Sequence, residues 1–179
     1  MATTRRSVLA IALTLPLLVP AFADANPLGE TSIFQGLLGE WEGRGELTDA
    51  EGKVIQVIEK WTGERHGASD VEMSGDREWG DEGTHQFGWR YLYNPTTELV
   101  ECEMTLSTSE NPIRLEVQVN EVEKTITLTA SMGEGESQLT IVNQVEKDRI
   151  VGEVSLKDAG GAETLAGKIE HRRPGKWEE

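Results

Sequence analysis

The chain has 179 residues, long enough for one domain with a sizeable core, and its 32 acidic against 17 basic residues give a formal net charge of −15. Such a charge repels phosphate backbones and anionic headgroups, which argues against nucleic acid and membrane surfaces as partners. Cys102 is the only cysteine, so no internal disulfide is available and stability must come from packing.

The first segment reads as an export signal. Arg5 and Arg6 open a basic start, Ser7 to Val19 is almost wholly apolar, and Ala21-Phe22-Ala23 and Ala23-Asp24-Ala25 both fit small-x-small cleavage. The apolar run of about 13 residues, interrupted by Pro16, falls short of the roughly 20 that a spanning helix needs. The expected division is a removable signal peptide over residues 1–25 and a single domain over 26–179, periplasmic or secreted, with no stable membrane association after cleavage. Thr4-Arg5-Arg6-Ser7-Val8-Leu9 also resembles a twin-arginine motif, so the export route stays open between that and the general one.

Beyond it, Thr31 or Ser32 would cap a short helix whose Phe34, Leu37 and Leu38 share a face. From Glu40 the pattern becomes strand and turn, with ten segments at 40–48, 53–63, 69–79, 84–93, 99–108, 113–120, 125–132, 137–146, 149–157 and 163–172. Val100, Cys102, Met104 and Leu106 alternate with polar residues, as do Ile113, Leu115, Val117 and Val119, and then Ile126, Leu128 and Ala130. Alternation of period two means one buried and one wet face, the pattern of antiparallel sheet. Clusters such as Asp49-Ala50-Glu51-Gly52, Asn94-Pro95-Thr96-Thr97 and Asp158-Ala159-Gly160-Gly161 reverse the chain between strands. The fold class is therefore all-β: an antiparallel up-and-down meander closed into a barrel, preferred over a two-sheet sandwich because every connection is short. The charged tail from Arg172 to Glu179 is expected to fray beyond Pro174.

Leu37-Leu38-Gly39-Glu40-Trp41-Glu42-Gly43-Arg44-Gly45, a short helix followed by Gly-x-Trp and small residues, resembles the calycin superfamily of lipocalins, fatty-acid-binding proteins and nitrobindins. The aromatic hairpin from Phe87 to Val100, through Asn94-Pro95, is similar to that of uncharacterised exported bacterial barrels. The resemblance implies that Trp41 plugs the closed end of the barrel beneath a cation from Arg172 or Arg173, and that Gly43 and Gly45 let the first strand bend. Fatty-acid-binding proteins hold a carboxylate with interior Arg and Tyr; here the adjacent Arg90 and Tyr91 cannot both point inward. Nitrobindins ligate haem through a late histidine, a role for which His171 is the candidate.

The fourth strand places His85, Phe87, Trp89, Tyr91 and Tyr93 on one face, either lining a ligand pocket or filling the core. Cys102 and Met104 share the neighbouring face, Cys102 as a small hydrophobe and not a nucleophile. His171 shares a face with Leu165, Gly167 and Ile169 and is expected to project inward. No catalytic residue and no metal ligand is assigned; haem at His171, or zinc held by His66, His85 and His171, is the minor alternative to no cofactor. The acidic stretch Asp70, Glu72, Asp76, Glu78, Asp81 and Glu82 reads as a solvated face. The sequence thus points to a barrel binding a small apolar or amphipathic molecule in a cavity of several hundred cubic ångströms, following the usual size of such sites. An enzyme using interior His and Tyr residues, or an interaction module with a filled core, are the rivals. Nothing in the sequence fixes the oligomeric state.

Overall fold

The structure is a computed structural model and describes residue 28 and residues 31–67, 69–133 and 137–177. The expected signal peptide and its cleavage sites lie outside the described residues. A short helix, α1 (Ser32–Leu37), precedes β1 (Gly39–Asp49), β2 (Val54–Arg65), β3 (Asp70–Trp79), β4 (Thr84–Asn94), β5 (Leu99–Leu106), β6 (Ile113–Asn120), β7 (Thr125–Met132), β8 (Ser137–Val145), β9 (Arg149–Asp158) and β10 (Glu163–Arg172). Each strand pairs antiparallel with the next, and β10 returns to β1, so the sheet closes with no free edge. This is the barrel that the alternation implies.

The turns use the chemistry written in the sequence. Asp49 Oδ1 accepts from the backbone N–H groups of Glu51 (3.1 Å) and Lys53 (2.8 Å), and Gly52 adopts φ 80° beside it. Asn94 Oδ1 accepts from Thr96 N–H at 3.0 Å across the proline turn. Thr31 occupies the N-cap position of α1, yet its hydroxyl donates back to the Leu28 carbonyl and makes no cap bond.

Inward residues form two apolar clusters. The larger runs from α1 (Ile33, Phe34, Leu37) through the aromatics of β1, β2 and β4 to β7 and β8. The smaller joins Leu47, Val57 and Ile169 toward the other end. α1 stops the first end: Phe34 meets Tyr91 edge to face at 5.3 Å, and Trp41 Nε1 donates to the Leu37 carbonyl at 3.2 Å. Gly63 permits this approach, because a Cβ there would lie 2.0 Å from the Leu37 oxygen.

The tail departs from expectation. Trp177 lies against the Arg44 guanidinium at 4.9 Å and that of Arg172 at 5.5 Å, and Arg172 Nη1 donates to the Lys176 carbonyl. Two outward cations give the ring a seat, so the chain stays on the barrel past Pro174 through residue 177.

Candidate functional site

Pairing registers place four residues in one row across four strands: His171 of β10 opposite Gly43 of β1, Gly43 opposite Glu59 of β2, and Glu59 opposite Arg77 of β3. All four point into the barrel, since their parity is that of the buried Trp41, Trp61, Val71 and Ile169. Strands two apart in a sheet stand roughly 10 Å from each other, so His171 and Glu59 meet only if the residue between them has no side chain. Gly43 supplies that gap: a Cβ there would lie 2.4 Å from His171 Cδ2 and 3.1 Å from Glu59 Cβ. The bend expected of Gly43 is thus secondary to the space it leaves.

The row is hydrogen-bonded. His171 Nε2 lies 2.7 Å from Glu59 Oε2, and Arg77 Nε donates to Glu59 Oε1 at 2.5 Å. Glu59 and His171 are the buried polar residues of the interior, 3% and 7% exposed. Burial pushes the Glu59 carboxyl up, but the Arg77 charge and the hydrogen bonds from His171 and Arg77 outweigh it and hold the group well below its ordinary 4.5. Glu59 is therefore a carboxylate, which accepts and cannot donate, and the hydrogen of the Glu59–His171 bond belongs to His171 Nε2. His171 Nδ1, on the other edge of the ring, is buried without a hydrogen-bond partner among the described residues.

Aromatic rings surround the row. Trp61 stands edge-on to the His171 ring at 5.6 Å and stacks on Trp41 at 5.6 Å. The Arg77 guanidinium lies 4.7 Å from the Phe87 ring centre and 5.7 Å from that of Trp79. A cavity of about 60 Å³ adjoins Glu59, Arg77, His171 and Asn143 on its polar side and Trp61, Phe87, Trp89 and Tyr91 on its aromatic side. That volume holds about two to four water-sized groups, against the several hundred cubic ångströms expected. The difference arises because Phe34, Trp41, Trp61, Phe87, Trp89 and Tyr91 all fill the same interior.

The expected residues divide as follows. Phe87, Trp89, Tyr91, Cys102 and Met104 are buried, and the first three line the cavity. Burial, with a lesser contribution from Glu103, pushes the Cys102 thiol up to about 12, and burial followed by Cys102 raises the Tyr91 phenol well above its ordinary range; neither is an activated nucleophile. His85 sits half-buried opposite Arg77 in register. Of the two candidate caps, Arg173 covers Trp41, its guanidinium 3.8 Å from the ring centre and its Nη1 donating to the Leu38 carbonyl at 2.7 Å. Arg172 bonds Glu170 and faces Trp177. His66 lies on the outside, 3.5 Å from Glu72. Outside too, Asp70 receives Arg90 through both Nε and Nη2.

Among the described residues no three His, Cys, Asp or Glu side chains converge as metal ligands. Haem does not fit this arrangement: the space beside His171 is far smaller than a macrocycle, and Glu59 engages Nε2. Sequence reasoning missed Glu59, Arg77 and Asn143. The signal was parity, since Glu59 falls between the inward Val57 and Trp61. On β2, however, Val54 and Ile58 put apolar residues on the outer face as well and blur the alternation.

No family model and no curated protein matches the chain. Solved structures share its architecture. The S-type phycobiliprotein lyase CPES from Guillardia theta superimposes with a TM-score of 0.58 at 12% identity, over 86% of this chain and 99% of the lyase. Rv2717c from M. tuberculosis gives 0.56 at 14% identity, over 79% of this chain and 97% of its own. At these identities the likeness is one of fold: a ten-strand antiparallel barrel.

Proposed function

We propose that this is an exported barrel that binds a small molecule, or the small polar end of a larger one, in its interior against His171. The observation that carries this reading is the orphaned Nδ1 of a buried histidine beside an aromatic-walled cavity. A buried polar atom without a partner costs about 1–3 kcal/mol; Glu121 Oε1 and Trp177 Nε1 are also buried without a partner among the described residues, but of the three only His171 lines the aromatic cavity, where an occupant could meet it. The lining mixes rings that would hold an apolar body with a few polar groups that would orient it, the usual division of labour in a ligand site. The cavity limits an occupant to about two to four non-hydrogen atoms unless neighbouring side chains shift.

Native mass spectrometry of the protein purified from its own host tests this reading. The expected spectrum shows a noncovalent mass increment on the wild-type chain that is absent from His171→Gln prepared in the same way. A wild-type mass equal to the bare chain in repeated preparations would sink the proposal. The same spectrum examines export, with a mature chain beginning at Asp24 or Asn26 as the expected result.

A second reading, an enzyme working by proton transfer, draws on the same dyad. A carboxylate that fixes one imidazole nitrogen and leaves the other bare is how a general base is oriented. It predicts that the molecule recovered from the protein changes chemically on incubation, and that His171→Gln recovers it unchanged.

A further inference from the structure

We propose that Glu59 is a positioning residue that decides which chemistry the interior accepts: it keeps the hydrogen of His171 on Nε2, so that Nδ1 presents a lone pair, and the occupant is an uncharged hydrogen-bond donor such as a hydroxyl or N–H group. The inference rests on the interior-binding reading above and sharpens it to a ligand class.

The argument is one of hydrogen counting. Glu59 offers two oxygens; Oε1 takes Arg77 Nε–H, and Oε2 lies 2.7 Å from His171 Nε2. A carboxylate supplies no hydrogen, so that contact requires one on Nε2. Arg77 balances the charge of Glu59, and a neutral His171 leaves the cluster uncharged inside a wall of aromatic rings, where an unpaired charge is expensive. A neutral imidazole carries one hydrogen, so with Nε2 protonated Nδ1 is an acceptor. The His171 side chain is 9% exposed and lines the cavity, while Nδ1 itself is covered and finds no partner among the described residues, so an occupant meets it once His171 or a neighbouring ring shifts. An acceptor-only molecule or an anion would set lone pair against lone pair there, whereas a donor completes the chain Arg77–Glu59–His171–ligand. Gly43 permits the whole relay, because only a bare position on β1 lets β10 and β2 share this bond.

The test is histidine nitrogen NMR on the full chain at pH 8, with the His171 signals identified by their loss in His171→Gln. Two probes of equal size and opposite chemistry are titrated: ethanol, which donates, and acetonitrile, which only accepts. The expected wild-type ring is the Nε2–H form. Ethanol should move the Nδ1 resonance saturably, with an affinity roughly tenfold above that for acetonitrile. Glu59→Gln, whose amide both donates and accepts, should show mixed forms of the ring and lose the discrimination. An Nδ1–H or doubly protonated ring in the wild type overturns the inference. Equal or stronger binding of acetonitrile inside the barrel overturns it too, while leaving interior binding intact. If neither probe moves any interior resonance, both readings fall. The wild-type measurements decide the matter even if Glu59→Gln does not fold.

Discussion

The plug and the polar row are built from the same strands, two residues apart, yet they treat polar atoms in opposite ways. At the plug Trp41 Nε1 is answered by the Leu37 carbonyl, and Arg173 by the Leu38 carbonyl and the face of Trp41. One step along β1 and β2, the row spends a buried carboxylate, a guanidinium and an imidazole and still leaves Nδ1 bare. A layer that exists to hold the barrel shut satisfies itself. A layer that leaves a buried imidazole nitrogen without a partner among the described residues is, on the reading proposed above, arranged for something else, and Leu, Ile and Val in that row would have given a simpler core.

The comparison is broken most forcefully from the plug side. Trp41→Ala should cost about 3–5 kcal/mol, because it removes a fully buried ring, its stack on Trp61 and the seat of Arg173; urea unfolding reads the loss directly. Gly43→Ala is expected to cost about 1–3 kcal/mol by overpacking, since the new methyl meets His171 and Glu59 at once, and to abolish any mass increment seen with the wild type. A plug without function predicts that Trp41→Ala, where it still folds, keeps its ligand more fully than the milder Gly43→Ala.

Acid sharpens the same contrast. Glu59 is held at about 2 against an ordinary 4.5, so its contribution to stability is complete above the unfolded value and is lost as pH falls through the folded one. Glu170, held at about 2 first by its hydrogen bond from Arg149 and then, against partial burial, by Arg172, acts in the same direction but in a solvated setting where such pairs contribute little. Urea midpoints measured from pH 6 down to pH 2 should therefore fall steeply below about pH 4.5 in the wild type, and much less steeply in Glu59→Gln. The smallest effect belongs to Arg173→Ala, a loss of about 1–2 kcal/mol from the cation–π contact over Trp41 and its carbonyl bond, with ligand binding unchanged.

How much of this was legible in the sequence depends on how clean each strand's two faces are. β5, β6 and β7 alternate sharply, and Cys102, Met104, Leu115, Ile126 and Leu128 lie inside as read. Gly-x-Trp located the plug, though not which of two adjacent arginines covers it; that choice belongs to the exit of β10, where Arg172 leaves outward toward Glu170 and Arg173 turns back over the ring. The polar row was not legible as a unit, because its members lie 16 to 128 positions apart and are joined only by register. Charge worked against the reader as well: Glu59 and Arg77 are two ionic residues in a chain where 27% are charged, and only pairing marks them as internal. Cavity size was the least legible quantity, since alternation says which rings face inward and not how tightly they interlock.

Because β1 pairs with β10, the ring of strands stays open until the tenth strand has been delivered. The carboxylate at position 59 must wait for its imidazole for more than a hundred residues of synthesis, a separation that places closure among the slow, non-local events of assembly. A chain cut before Glu163 would have neither its seam nor the imidazole, so on the proposed reading the act that completes the container is also the act that makes it able to hold anything.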